Sequence, residues 1–138
     1  MVNKPTRELT HVGISVVVFD TSALLLAVTE RIDVISNVKE VVEDLIIPVV
    51  TVSVVRDLWL LSRRGGKRGK AASLVLNNVI PRYFSIASLD GKADDDVLNL
   101  AKETGGFLVT CDSELRRRAE DNGVTVIYYR RALRRFTI

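Results

Sequence analysis

Four aspartates raise the question of chemistry. Asp20 ends an apolar β-branched run over Ile14 to Phe19 and is followed by Thr21 and Ser22. Asp112 stands just past a second apolar run, Phe107 to Val109, with Thr110 and Cys111 between. Asp57 lies inside a largely apolar stretch and shares a helical face with Val54, Leu58 and Leu61. An acid beside a core-facing stripe is costly unless it is paired or bound to a cation. A triplet, Asp94, Asp95 and Asp96, precedes Val97, Leu98 and Ala101. Helical spacing puts Asp94 on the face of those three apolar residues, leaves Asp95 intermediate and turns Asp96 away. Each acid also has a plain structural use. Asp20 and Asp112 suit helix N-caps, and the triplet suits the positive end of a helix dipole. Gathered in one place, however, the carboxylates would repel, and some would hold protons unless a cation joined them. All-oxygen donors suit a hard divalent ion, Mg²⁺ or Mn²⁺. The single histidine, His11, and the single cysteine, Cys111, argue against a nitrogen- or sulfur-rich zinc site. They leave a Ser-His-Asp or Cys-His mechanism dependent on His11 alone, and they allow no internal disulfide.

The elements that must position these acids can be read from hydrophobic period and punctuation. Strands are predicted at Ile14–Phe19, Ile46–Val50, Tyr83–Ala87, Phe107–Val109 and, last, Val124–Tyr128. Short apolar runs without alternation suit strands buried on both faces, as in a parallel sheet. Helices are predicted from Ser22, over Asp33 to Leu45, through Val54 to Leu61 with Thr51 or Ser53 as cap, over Ala71 to Val79 with Pro81 as its end, over Asp94 to Thr104, and over Ser113 to Asn122. The residues Gly66 to Lys70 read as a basic loop. Alternating strands and helices predict an α/β fold, a three-layer α/β/α sandwich with a mainly parallel central sheet. In such a sheet Asp20 and Asp112 emerge at the carboxyl edge, where open α/β sheets carry their sites. The chain reads as one domain over 1–138, with a core of about 12–130 and an N-terminal arm, 1–11, that contains Pro5 and His11.

With 138 residues, 47% of them hydrophobic and 27% charged, the chain suits one packed core rather than disorder. The net charge of +3 permits an anionic partner without demanding one. Its placement says more, because Lys and Arg gather at Arg63 to Lys70, at Arg116 to Arg118 and at Arg130 to Arg135. Solvated faces and a charged tail account for these patches equally well. No apolar stretch is long enough to cross a bilayer, and no signal peptide is visible. The expectation is a soluble, cytoplasmic protein.

Four segments together resemble the PIN domain family, over about Val16 to Tyr128. They are VVVFDTSALL with Asp20, TVSVVRDLWLL with Asp57, ADDDVLNLAKETGGFLVTCDSELRRRA with Asp94, Thr110 and Asp112, and the closing strand GVTVIYY. No piece is specific alone; the order and spacing are. The stretch RRGGKRGKAA is similar to archaeal members, including those akin to ribosomal-RNA processing PIN proteins. The resemblance implies an endoribonuclease that hydrolyses RNA phosphodiesters. It implies that Asp20, Asp57, Asp94 and Asp112 are catalytic and hold Mg²⁺ or Mn²⁺, with Ser22 and Thr110 orienting carboxylates or water. Lys67, Arg68, Lys70, Arg116 and Arg117 would grip the RNA backbone. It also implies a homodimer, and either an antitoxin partner or a role in RNA processing. Asp57 departs from the family pattern, in which this acid is usually Glu, and Asp95 competes with Asp94 as the ligand. The rival reading is a catalytically silent PIN domain that binds RNA or assembles with partners. Phosphotransfer, as in haloacid-dehalogenase-type phosphatases or response receivers, is disfavoured. The phosphatase pattern needs an acid where Ser22 stands, and the receiver's acidic pair and late lysine are not visible. Trp59 is expected to pack in the core or a dimer rather than to stack on bases.

Overall fold

The computed structural model describes residues 13–138; His11 and the predicted arm lie outside the described residues. Strand β1 (Ile14–Phe19) leads into helix α1 (Thr21–Thr29), and α2 (Val34–Val41) returns to β2 (Leu45–Thr51). Helix α3 (Val52–Arg64) meets α4 (Gly66–Leu74), which passes through a π-turn (Val75–Val79) into a short α5 (Ile80–Tyr83). Then come β3 (Ser85–Ala87), α6 (Ala93–Thr104), β4 (Phe107–Thr110), α7 (Ser113–Asp121), β5 (Thr125–Arg130), a 3₁₀ turn (Arg131–Leu133) and β6 (Arg135–Thr137).

The six strands form one sheet in the order β3-β2-β1-β4-β5-β6. All neighbours are parallel except β6, which runs antiparallel to β5. Successive side chains of a strand point to opposite faces. Val17, Val18 and Phe19 in β1, and Leu108, Val109 and Thr110 in β4, are all fully buried. Helices therefore cover both faces of the sheet, which is the expected α/β/α layering. The chain adds β2 and β3 on one side of β1, then crosses back to place β4 on the other. The strand order thus reverses between β1 and β4, and such a reversal opens a crevice at the carboxyl edge.

Several local expectations give way. The basic stretch Gly66 to Lys70 is not a loop but the first turns of α4. Gly65 and Gly66, both with positive φ near 74°, complete the reversal from α3. Gly69 then lets α4 approach the Leu61 carbonyl, where an added Cβ would stand 2.9 Å away. Pro81 does not end its helix, because the π-turn starts a new one and puts proline in the first turn of α5, where no amide N–H is required. Tyr83 accordingly belongs to α5 and not to β3. Helix α2 stops at Val41, since Leu45 pairs with Ile14 and its amide donates to the Gly13 carbonyl. β5 is not the last strand. The basic tail folds back as β6, where Phe136 is buried against Tyr129 and its amide donates to Asn37 Oδ1.

Candidate active site

The crevice at the switch between β1 and β4 is the place to which all four predicted acids come. A cleft of about 320 Å³ is lined by Asp20, Asp57, Asp94 and Asp112, with Thr21 among them and Arg64 and Arg68 also on its wall. Each acid arrives on a different element. Asp20 follows β1 and caps α1, its Oδ1 accepting the Ala23 amide at 2.9 Å. Asp112 follows β4 and caps α7, its Oδ1 accepting the amides of Glu114 and Leu115. Asp57 projects from the middle of α3, and Asp94 from the first turn of α6. The N-cap use and the cleft position are therefore compatible, because a capping carboxylate spends one oxygen on the helix.

Asp20 is the most enclosed, only 5% exposed. Thr110 donates to its Oδ2 at 2.5 Å, and the Ser22 hydroxyl lies 2.8 and 2.9 Å from its two oxygens. Both hydroxyls also accept: Ser22 Oγ from the Cys111 amide and Thr110 Oγ1 from the Asp112 amide, each at 3.0 Å. Ser22 and Thr110 thus lock Asp20 to the strand end that carries Asp112. Burial nevertheless outweighs these bonds and pushes the Asp20 pKa up to about 6. Asp94 is also raised, by burial first and then by the charge of Asp112. Burial raises Asp57 as well.

The acidic triplet divides its work. Asp94 faces the cleft. Asp95 pairs with Arg118 at 2.8 Å. Asp96 accepts from Ser53 Oγ at 2.7 Å and from the Gly91 amide at 2.8 Å. Ser53 in turn touches Thr51 Oγ1, which caps α3 by accepting the Val54 amide. This partly buried polar chain fastens the start of α6 to the start of α3, so Asp94 and Asp57 are held by a common latch.

Among the described residues none of the four cleft acids is in an ion pair; the acids that are paired are Asp90, Asp95 and Glu120. No three of the His, Cys, Asp and Glu side chains described stand close enough together to enclose an ion as they are. The donor set still suits a hard divalent cation, for three reasons. Its atoms are carboxylate oxygens, no ion pair among the described residues neutralises them, and the buried hydroxyl of Thr21, a cleft residue, has no hydrogen-bond partner among the described residues.

Of the predicted cations, Arg68 reaches the cleft, whereas Lys67, Lys70 and Arg117 are exposed and do not line it. Arg116 points to the other side of Asp112 and lies against Tyr128. Two polar lining residues, Arg64 and Thr21, stand in segments noted in the sequence but were not among the expected site residues. Arg64 was legible, since Asp57, Leu60, Leu61 and Arg64 follow helical spacing along one stripe of α3. Thr21 has no periodic signal, and only its orphaned hydroxyl marks it. Trp59 is not in the core of this chain: it is 52% exposed, with the Arg63 guanidinium 5.4 Å from its ring centre. No helix among the described residues is long and apolar enough to cross a membrane.

Comparison with known proteins agrees with this architecture. Ribonuclease VapC9 of Archaeoglobus fulgidus is 28% identical over 120 residues, which cover 86% of each chain. The structure of the PIN domain endonuclease Utp24 superposes with a TM-score of 0.69 at 16% identity, covering 88% of this chain and 89% of that one. A domain of a functionally unknown protein from Methanocaldococcus jannaschii gives 0.65 at 16% identity, over 84% and 91%. VapBC2 from Rickettsia felis, bound to a DNA fragment from their promoter, gives 0.60 at 13% identity, over 82% and 98%. These three structural likenesses bear on the fold. The family model of the PIN-like domain matches residues 17–132, nearly the whole described chain, and the protein belongs to that family.

Proposed function

We propose that this protein is an endoribonuclease that uses Mg²⁺ or Mn²⁺ to hydrolyse phosphodiester bonds of RNA. The observation that carries the reading is the meeting of four aspartates, none in an ion pair among the described residues and each delivered by its own element, in one cleft that also holds Arg64 and Arg68. The sequence relative named a ribonuclease supports it. Asp20, Asp94 and Asp112 would hold the metal, and Asp57 would complete the set directly or through a water. When bound, a divalent ion supplies a water acidified toward neutral pH and a charge that offsets that of the reacting phosphate. Ser22 and Thr110 fix the orientation of Asp20. Thr21 lines the same space. Arg64 and Arg68 hold the RNA backbone by charge and do not read its sequence. Asp57 is one methylene shorter than the usual Glu, yet its helix brings it to the cleft wall.

Of the two roles implied by the family resemblance, a toxin requires an antitoxin partner and RNA processing does not, so co-purification of a small partner protein separates them. Pairing of two copies, implied by the family resemblance, is checked by sedimentation. The central test is cleavage of labelled single-stranded RNA with Mn²⁺, with Mg²⁺ and with EDTA, for wild type, Asp20→Asn and Asp112→Asn. Metal-dependent cutting lost in both variants supports the assignment. Equal cutting by all three proteins sinks it. Binding without cutting by wild type would favour the silent RNA-binding module instead.

A further inference from the structure

Asp112 forms a wall between two hollows. On the side away from the cleft lies a second one, of about 170 Å³, lined by Asp112, Ser113, Arg116, Tyr128 and Tyr129 among others. The Arg116 guanidinium carbon sits 3.5 Å from the centre of the Tyr128 ring, the separation of stacked planes. Arg116 Nε donates to Glu120 at 3.3 Å, which steadies the side chain from its own helix. Tyr129 also lines the hollow, and its buried hydroxyl has no hydrogen-bond partner among the described residues. A second guanidinium, that of Arg131, stands 6.0 Å from the Tyr129 ring centre.

This combination is better suited to a base than to a phosphate. A phosphate is gripped by the N–H edge of an arginine, but here one edge nitrogen is spent on Glu120 and one face rests on a phenol. What remains open is a flat cationic face, on a side chain 36% exposed, beside the Tyr129 ring. Unpaired bases of single-stranded RNA stack on aromatic rings and on guanidinium planes, and hydrogen-bond along their edges. A base in a duplex is stacked on its neighbours and unavailable. Resting on the nuclease reading above, we propose that this hollow takes one unpaired nucleobase from a nucleotide flanking the scissile phosphate, stacked on the Arg116–Tyr128 pair. The shared residue Asp112 sets how near that base lies to the cut. Arg116 then acts as a base platform and not as the phosphate grip implied by resemblance, and the preferred substrate is RNA that is single-stranded at the cut.

The experiment uses short single-stranded RNA oligonucleotides, each carrying one 2-aminopurine at a different position. Fluorescence is read in EDTA and cleavage is read in Mn²⁺. The proteins are wild type, Arg116→Lys, Tyr128→Leu and Tyr128→Phe, each checked for folding by circular dichroism. For wild type, quenching is expected at a position next to the mapped cut and not elsewhere. Arg116→Lys keeps the charge but loses the plane, and should abolish that quenching while raising KM on the order of tenfold, the size of one base-stacking contact. Tyr128→Leu should do the same, and Tyr128→Phe should restore the quenching. Metal-dependent cleavage with unchanged KM and quenching in Arg116→Lys overturns the base site and leaves the nuclease standing. Quenching that depends on Arg116, with no cleavage by wild type in any metal, supports the base site and overturns the nuclease. Equal cleavage of single-stranded and fully paired RNA overturns the proposed selectivity.

Discussion

Asp20 carries the largest electrostatic burden of any single residue in the cleft. It is raised from 3.8 to about 6 mainly by burial, so the folded chain takes up a proton that the unfolded chain releases. The stabilising contribution is therefore complete below about pH 4 and is lost as pH rises through about 6. Asp94 and Asp57, raised in the same direction, add to the trend. Metal-free protein should melt at a lower temperature at about pH 8 than at about pH 5, and Mn²⁺ should restore the loss at the higher pH. Asp20→Asn should flatten the profile and raise the melting temperature in EDTA above that of wild type at about pH 8. Thermal melts across that range decide it, and a wild-type curve that rises with pH would contradict the burial argument. Thr110 is the complementary case. Thr110→Val removes the donor to Asp20 and the acceptor for the Asp112 amide at similar volume. A buried hydrogen bond to a charged group is worth about 1.5–3 kcal/mol. The variant should lose activity roughly tenfold or more and need a higher pH for metal activation, read as rate against pH at saturating Mn²⁺.

At the level of elements, precision in the cleft depends on how α3, α4 and α6 are fastened. The latch from Asp96 through Ser53 to Thr51 ties the first turn of α6 to that of α3. Asp96→Ala should cost about 1–3 kcal/mol in denaturant unfolding and weaken Mn²⁺ binding, because Asp94 then rides on a frayed turn. Unchanged metal affinity, measured by calorimetry, would show that Asp94 is positioned without it. Gly69 tests the α3–α4 contact in the same way. In Gly69→Ala the new methyl meets the Leu61 carbonyl. The helices must part, with a loss of about 1–3 kcal/mol and a displacement of Arg68 that appears as weaker RNA binding. Two of the elements misread from sequence share one cause. Helix α4 opens with Gly-Lys-Arg-Gly-Lys, poor in apolar residues, and β6 buries Phe136 among arginines. Periodicity reports an element only when it has an apolar face of its own. These two are held by tertiary contacts, one by a close helix approach and the other by pairing with β5.

For the molecule as a whole, the modest charge of +3 matters less than where it lies. Four acids line the cleft, and Arg64 and Arg68 line it with them. If both arginines contact phosphates, Arg64→Ala with Arg68→Ala should lower the slope of log binding constant against log salt by about 1.4, at roughly 0.7 for each phosphate contact on a single strand. Fluorescence anisotropy over a salt series measures it, and an unchanged slope would move the RNA path elsewhere. The sequence by itself determined the strand–helix alternation, the parallel sheet and the positions of Asp20 and Asp112 past strand ends, because each follows from local period and capping preference. It narrowed the triplet toward Asp94 by helical spacing, though Asp95 stayed open. Only the tertiary structure engaged Asp95 with Arg118 and Asp96 with Ser53, partners separated by 23 and 43 residues along the chain. It alone buried Asp20 beneath Thr110, 90 residues away, and raised its pKa. It alone set Arg116 on Tyr128 rather than in the cleft. Local pattern records what a residue prefers next to its neighbours in the chain. Burial, ion pairing and stacking depend on partners that only folding brings within reach.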